Sequence, residues 1–163
     1  MKSIEDILQL GNPLLYEVSE PVLQSELSMV PEWINDMDNV MQQIRAKYKF
    51  GRAIAAPQLG IRKRLIYLKI DKPVVIINPH LSKLSFEMIE LWDDCMCFPN
   101  LLVKVKRHKS LTINYLDQMW QHHKWNLKDD LAELLQHEYD HLDGKLYTMR
   151  AIDNKSFKLR RID

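Results

Sequence analysis

The feature that most constrains this chain is a helix near its C-terminal end with two histidines on one face. Leucines recur there at steps of three and four residues, as on the buried face of a helix: Leu127, Leu131, Leu134, Leu135 and Leu142. Within this helix His137 and His141 are four residues apart, so both side chains point the same way, and Glu138 stands beside them. This H-E-x-x-H arrangement offers two imidazole ligands for one metal ion and a carboxylate that can move a proton.

The motif is short, so two histidines on a solvated helix are the alternative, and a third ligand would separate the two interpretations. The chain has only 2 cysteines, Cys95 and Cys97, whose close spacing makes a poor disulfide. Cys95 with the two histidines would form a Cys-His-His set with one open position, which suits Zn(II) or Fe(II). A small buried side chain without a ligand role is the alternative for Cys95.

Composition predicts a single domain, residues 1–163, with 46% hydrophobic residues and a net charge of +1. That charge gives no reason to expect a nucleic-acid site or a membrane surface as partner. No apolar run approaches 18 residues, and the first residues carry acidic side chains rather than a signal-peptide core. We therefore expect a cytoplasmic protein.

Periodicity predicts an α+β fold, in which an antiparallel strand-rich middle packs around a central metal-binding helix and follows an N-terminal helix. The first helix is expected at about residues 31–48, and Gly144 suits the end of the second. Strands are expected at 64–70, 73–78, 84–92, 101–106 and 111–115. The polar stretch 117–126 is expected to be a loop, with His122 and His123 in solvent. The basic tail, which includes Arg160 and Arg161, is expected to be solvated surface.

Three segments of the chain resemble motifs of one family, the peptide deformylases. Gly51–Gln58 resembles G-x-G-x-A-A-x-Q, Asp93–Cys97 resembles E-G-C-L-S, and Gln136–His141 matches Q-H-E-x-D-H at each specified position. The likeness keeps the family's order and spacing and extends from about Ile7 to Tyr147. Together the three motifs are specific, whereas the third alone is not.

The resemblance implies a hydrolase that removes the N-formyl group from the starting methionine of new polypeptides. It implies metal ligands Cys95, His137 and His141, with Glu138 moving the proton of a water molecule. The family commonly uses Fe(II), and Zn(II) or Ni(II) can occupy the site. The resemblance further assigns Gln58 and the backbone N–H of Met96 as oxyanion donors, and places Ala53, Ile54 and Leu134 at the substrate. The ribosome, near its exit tunnel, is a candidate partner.

Support for these groups is expected from two acidic residues. Asp93 stands where the family has glutamate and is expected to pair with Arg107, bracing the Cys95 segment. Asp140 is placed to bond a ligand imidazole, with a plain surface charge as the alternative. Glu133 lies one turn before His137, in the part of the helix that resembles the wall of the family's methionine pocket. A carboxylate there needs a partner or must point outward.

The chain departs from the family motifs at several positions. Ala53 and Asp94 replace glycines, Met96 replaces leucine, and Cys97 replaces serine. We expect Cys97 to face away from the ion, so that it is a small buried side chain and not a ligand; a tight bend that brings both thiols to the metal is the alternative. Two other functions therefore stay open: a related metal amidase acting on another N-acyl group, and a non-catalytic metal-binding or ribosome-associated protein.

Overall fold

A computed structural model describes residues 1–160 and has the α+β fold that the sequence predicts. Its helices are α1 (Val30–Tyr48) and α2 (Asp129–Leu142). Its strands are β1 (Ala53–Ala55), β2 (Leu65–Lys69), β3 (Pro73–Ser82), β4 (Met88–Asp94), β5 (Leu101–His108), β6 (Ser110–Leu116), β7 (His122–Lys128) and β8 (Phe157–Leu159). Within the described range, neither helix has the length and apolar composition that crossing a membrane requires.

The strands form two antiparallel sheets. Five strands pair in the order β1-β2-β3-β6-β7, and three pair in the order β4-β5-β8. The pairing of β4 with β5 is continuous from Met88 opposite His108 to Asp94 opposite Leu102. The pairing continues to the last residue of β4, so Cys95 is the first residue after the strand.

Successive side chains of the five-stranded sheet point to opposite faces, and both faces carry apolar residues. Leu65 and Tyr67 of β2 pack with Met41 and Ile44 of α1, whereas Ile66 between them packs with the leucine face of α2. Helix α1 therefore covers one face of this sheet and α2 the other. The remaining side of α2, which carries the histidines, is turned toward β4 and β5.

The structure corrects the sequence analysis at residues 117–126. Residues 122–126 belong to β7, which pairs with β6 from Leu116 opposite His122 to Ser110 opposite Lys128, so they are not a loop. Periodicity missed this strand because most of its side chains are exposed on both faces. His122 and His123 are exposed, and His123 Nε2 lies 2.7 Å from Asp117 Oδ2. In the tail, β8 adds to β5, while Arg161 lies outside the described residues.

The end of α2 provides a stability prediction. Gly144 has a φ of +66°, and an added Cβ would lie 2.4 Å from the backbone oxygen of Tyr16. Gly60 has a similar φ of +73°, but its Cβ would meet nothing within 4 Å. We expect Gly60→Ala to lose roughly 1–2 kcal/mol of unfolding free energy from the left-handed backbone alone. Gly144→Ala should lose roughly 2–4 kcal/mol, because the Tyr16 contact adds to that strain. Equal losses in urea denaturation would contradict the role of this contact.

Candidate metal centre

Three buried side chains converge beside α2 with donor atoms at metal-binding distances. Cys95 Sγ lies 3.4 Å from His141 Nε2, which lies 3.2 Å from His137 Nε2. All three donor atoms fall within 4.8 Å of one another. Ligands around a tetrahedral ion at 2.0–2.3 Å are themselves roughly 3.3–3.7 Å apart, so this donor set fits one divalent ion.

Asp93 orients the first of these imidazoles. Its Oδ2 lies 2.9 Å from His137 Nδ1, which directs Nε2 of the ring toward Cys95 and His141. Although burial opposes both shifts, the ion pair lowers the pKa of Asp93 to about 2 and raises the pKa of His137 to about 9. A proton on Nε2 must therefore leave before His137 can bind an ion.

Arg107 connects Asp93 to the rest of the structure. Its Nη2 donates to Asp93 Oδ2 at 2.9 Å, so the predicted ion pair is present. Its Nη1 donates to Asp140 Oδ2 at 3.0 Å, and Arg150 Nη2 donates to the other oxygen of Asp140 at 2.6 Å. The expectations for Asp140 were therefore both wrong. Asp140 is buried and bonds two arginines rather than an imidazole, because Asp93 of β4 occupies the imidazole side of α2.

Two polar atoms at the centre have no hydrogen-bond partner within residues 1–160. They are Oε2 of Glu138 and Nδ1 of His141. Burial lowers the pKa of His141, which keeps the ring in the neutral form that binds metals. Burial raises the pKa of Glu138 to about 7, although His137 acts in the opposite direction. A carboxyl group with a pKa in this range can both accept and return a proton.

The segment after β4 is a turn, and the expectation that Cys97 faces away from Cys95 is wrong. Phe98 N donates to Cys95 O at 3.2 Å, closing a turn that holds both thiols on one side. Gln58 Nε2 lies 3.6 Å from Cys95 Sγ and 3.5 Å from Cys97 Sγ. Cys97 is nevertheless outside the group of donor atoms formed by Cys95 and the histidines. Burial raises the pKa of the Cys95 thiol, and the neighbouring Cys97 adds to the shift.

A cavity of about 330 Å³ opens beside the centre. Glu138, Gln58 and Met96 line it, as do two of the residues expected at the substrate, Ala53 and Leu134. The third, Ile54, does not. Strand alternation in β1 turns its side chain to the α1 face, where the residue is fully buried, so the expectation that Ile54 contacts the substrate is wrong. The backbone N–H of Met96 makes no hydrogen bond within residues 1–160, so it can donate to a ligand.

Sequence reasoning missed Arg52, which also lines the cavity. Its Nη2 donates to Glu133 Oε1 at 2.6 Å, giving the buried carboxylate the partner it needs. The two residues are 81 positions apart, and nothing in the local pattern links them. Ala53 and Asp94, which stand where the family motifs have glycine, do not strain the backbone, since neither is among the positive-φ residues of the described chain.

Comparison with known proteins gives one consistent result. The family model for polypeptide deformylase matches residues 4–157. The peptide deformylase of Bartonella tribocorum is 33% identical over 152 residues, covering 88% of this chain and 82% of the relative. A peptide deformylase from Synechococcus elongatus, solved in complex with actinonin, superposes with a TM-score of 0.84 at 26% identity, covering 92% of this chain and 80% of that one. A class I type b peptide deformylase from Acinetobacter baumannii, solved with Met-Ala-Ser bound, gives 0.81 at 26% identity, covering 88% and 97%.

The Arg107 network predicts different costs for its two arginines. Arg107→Leu leaves Asp93 and Asp140 without the buried cation between them and should cost roughly 3–5 kcal/mol of unfolding free energy. Arg150→Leu removes a half-exposed partner of Asp140 and should cost about 1 kcal/mol or less, because water can replace it. Chemical denaturation of both variants measures the difference, and similar losses would contradict a special role for Arg107.

Proposed function

The chain belongs to the polypeptide deformylase family, and from that membership we propose how its residues divide the work of the reaction. Peptide deformylases are metal-dependent hydrolases, and this enzyme removes the formyl group from the N-terminal methionine of newly made polypeptides. The observation that carries the residue assignment is the convergence of Cys95, His137 and His141 beside the unpartnered carboxylate of Glu138.

Cys95, His137 and His141 would hold one divalent ion. Fe(II) is the ion we propose for the native enzyme, with Zn(II) or Ni(II) able to replace it, since a thiolate with two imidazoles accepts all three. When bound, such an ion supplies Lewis acidity, which makes a water molecule a stronger acid at neutral pH. Asp93 keeps the His137 ring in its binding orientation, and Arg107 keeps Asp93 in place.

Glu138 is the proposed acid–base group. Glu138 lines the cavity and its Oε2 has no hydrogen-bond partner within residues 1–160, so the carboxylate is the proposed group that accepts a proton from the attacking water and returns it to the departing amine. Negative charge develops on the formyl oxygen as the water attacks. The Nε2 group of Gln58 and the backbone N–H of Met96 both border the cavity and are the proposed donors to that oxygen. Gln58 is held for this role because its Oε1 accepts from Ala55 N at 2.8 Å.

The rest of the proposal concerns the substrate and its setting. Ala53 and Leu134 line the cavity and are the proposed contacts for the first side chain of the formylated peptide. We propose that residues 1–163 act as one catalytic domain in the cytoplasm, where nascent chains carry the formyl group. Binding near the ribosomal exit tunnel is a further proposal, supported by the basic residues Lys155, Lys158 and Arg160 of the tail.

One assay tests the proposed function against its alternatives. The Fe(II)-loaded enzyme is given formyl-Met-Ala-Ser beside acetyl-Met-Ala-Ser, and release of formate and acetate is measured. A deformylase releases formate alone, whereas a broader metal amidase releases both. Release of neither would indicate a non-catalytic metal-binding protein. The unpartnered Glu138 and the buried Gln58 favour the first result, because metal binding alone requires neither group.

The two cysteines give a matched test of the metal ligands. Cys95→Ser should lose most of the bound metal, because a serine hydroxyl is a poor replacement for a thiolate. Cys97→Ser restores the residue of the family motif and should keep about one ion per chain and a near-normal rate of deformylation. Metal analysis of both proteins measures this. Loss of metal from Cys97→Ser, or two thiolates around a substituted cobalt ion, would contradict the assignment.

Glu138→Gln separates metal binding from proton transfer. The amide keeps the shape of the side chain but cannot accept the proton, so turnover should fall roughly 10²–10⁴-fold while the metal content is unchanged. The measurement is kcat on formyl-Met-Ala-Ser together with metal stoichiometry. Near-normal turnover would mean that another group moves the proton.

A further inference from the structure

We propose that the Arg52–Glu133 ion pair determines which first side chain the enzyme accepts, and that it extends the substrate class to formylated peptides that begin with a carboxamide residue, glutamine above all. This inference rests on the proposed function, because it concerns the same cavity and the same bound peptide. The proposed function concerns peptides that begin with methionine, whereas this inference predicts that a polar first side chain is also accepted.

The Arg52–Glu133 ion pair lies in the part of the cavity wall that the first side chain of a bound peptide would contact. Glu133 lies four residues before His137 on α2, a distance of about 6 Å along the helix. The first side chain of a formylated peptide is carried by the Cα atom two bonds from the formyl carbon, and its end lies about 5 Å from that atom when fully extended. A substrate whose formyl group lies at His137 and Glu138 can therefore reach Glu133 with the end of that side chain.

The ion pair makes this wall polar and keeps it so. Glu133 has a side chain only 9% exposed and is bonded to Arg52, whose side chain is 41% exposed, and both residues line the cavity. Asp130 adds a longer contact to Arg52 at 3.4 Å. The second carboxylate oxygen of Glu133, Oε2, has no hydrogen-bond partner among residues 1–160 and is not sealed from the cavity. The wall therefore presents guanidinium donors and one free acceptor side by side.

This combination of groups selects a neutral side chain with both a donor and an acceptor. A carboxamide can accept from Arg52 through its oxygen and donate to Glu133 Oε2 through its nitrogen. An acidic side chain would meet the carboxylate of Glu133, and a basic one would meet Arg52 and Lys49. Glutamine has the length of methionine, so its stem can use the apolar cavity residues Phe50 and Leu134 as methionine does.

The experiment compares formyl-Met-Ala-Ser with formyl-Gln-Ala-Ser in the metal-loaded enzyme and in the double variant Arg52→Leu/Glu133→Leu. Replacing both charges by leucine leaves no buried charge unpaired, so the variant is expected to fold. In the natural enzyme kcat/KM for the two peptides should agree within about tenfold. In the double variant, kcat/KM for the methionine peptide divided by kcat/KM for the glutamine peptide should rise by roughly 10- to 100-fold. The reason is that the carboxamide then lacks its hydrogen-bond partners. An unchanged ratio would overturn the proposal.

Two further variants serve as controls for this comparison. Arg62 and Glu17 form an ion pair of similar length, 2.7 Å, whose residues do not line the cavity, so Arg62→Leu/Glu17→Leu should leave the ratio unchanged. Glu133→Gln keeps the side-chain length and a bond to Arg52 but replaces one acceptor oxygen with a donor. It should lower the relative rate on the glutamine peptide even if the double variant fails to fold.

Binding of the product tripeptides separates this inference from the proposed function. Calorimetry with Met-Ala-Ser and Gln-Ala-Ser measures binding in the cavity without requiring turnover. In the double variant the Kd of Gln-Ala-Ser should rise relative to the Kd of Met-Ala-Ser, as kcat/KM for the glutamine peptide falls relative to that for the methionine peptide. If no formyl peptide is hydrolysed but the Kd ratio shifts, the proposed function fails and the pocket assignment holds. If both peptides are hydrolysed and neither ratio shifts, the pocket assignment fails and the function holds.

Discussion

The guanidinium group of Arg107 is the interaction on which the rest of the centre depends. It comes from β5 and bonds Asp93 of β4 and Asp140 of α2, so one side chain fixes the strand pair to the helix. Its side chain is only 3% exposed, so water cannot take its place between the two carboxylates if it is removed. Asp93 in turn holds His137, and Cys95 follows Asp93 by two residues. The relative positions of all three proposed ligands therefore depend on one buried ion network.

Helix α2 can contribute to this network because its two sides make different contacts. Ala132 and Leu135 pack against Ile66 and Ile113 of the five-stranded sheet, which anchors the helix by apolar burial. The opposite side carries His137, Glu138 and His141 into a region that is also closed, by the turn after β4. Titratable groups in that region lose their contact with water, which destabilises their charged forms. This accounts for the raised pKa of Glu138 and the lowered pKa of His141.

The sequence predicted those parts of the structure that depend on local periodicity. The alternation of apolar residues located β2, β3, β5 and β6, and the three- and four-residue steps located both helices to within a few residues. It missed β7, whose residues are largely exposed, and the three-residue strands β1 and β8, which are too short to show a period. It also assigned the wrong acidic partner to the imidazoles. Asp140 lies beside His141 in α2, whereas Asp93 is 44 residues away from His137 in the chain, and only the path of β4 across α2 brings Asp93 to the imidazole.

The sequence by itself determined the donor set and its chemistry: His137 and His141 share a helix face whatever the fold, and the three motifs identify the family through residues that lie close together in the chain. The tertiary structure alone decided what surrounds that donor set. It turned Ile54 into the core, bent Cys97 back beside Gln58, and brought Arg52 to Glu133 across 81 residues. The physical reason is that a helix or strand periodicity is set by neighbouring backbone angles, whereas contacts between distant elements are set by how those elements pack and by which buried charges find partners.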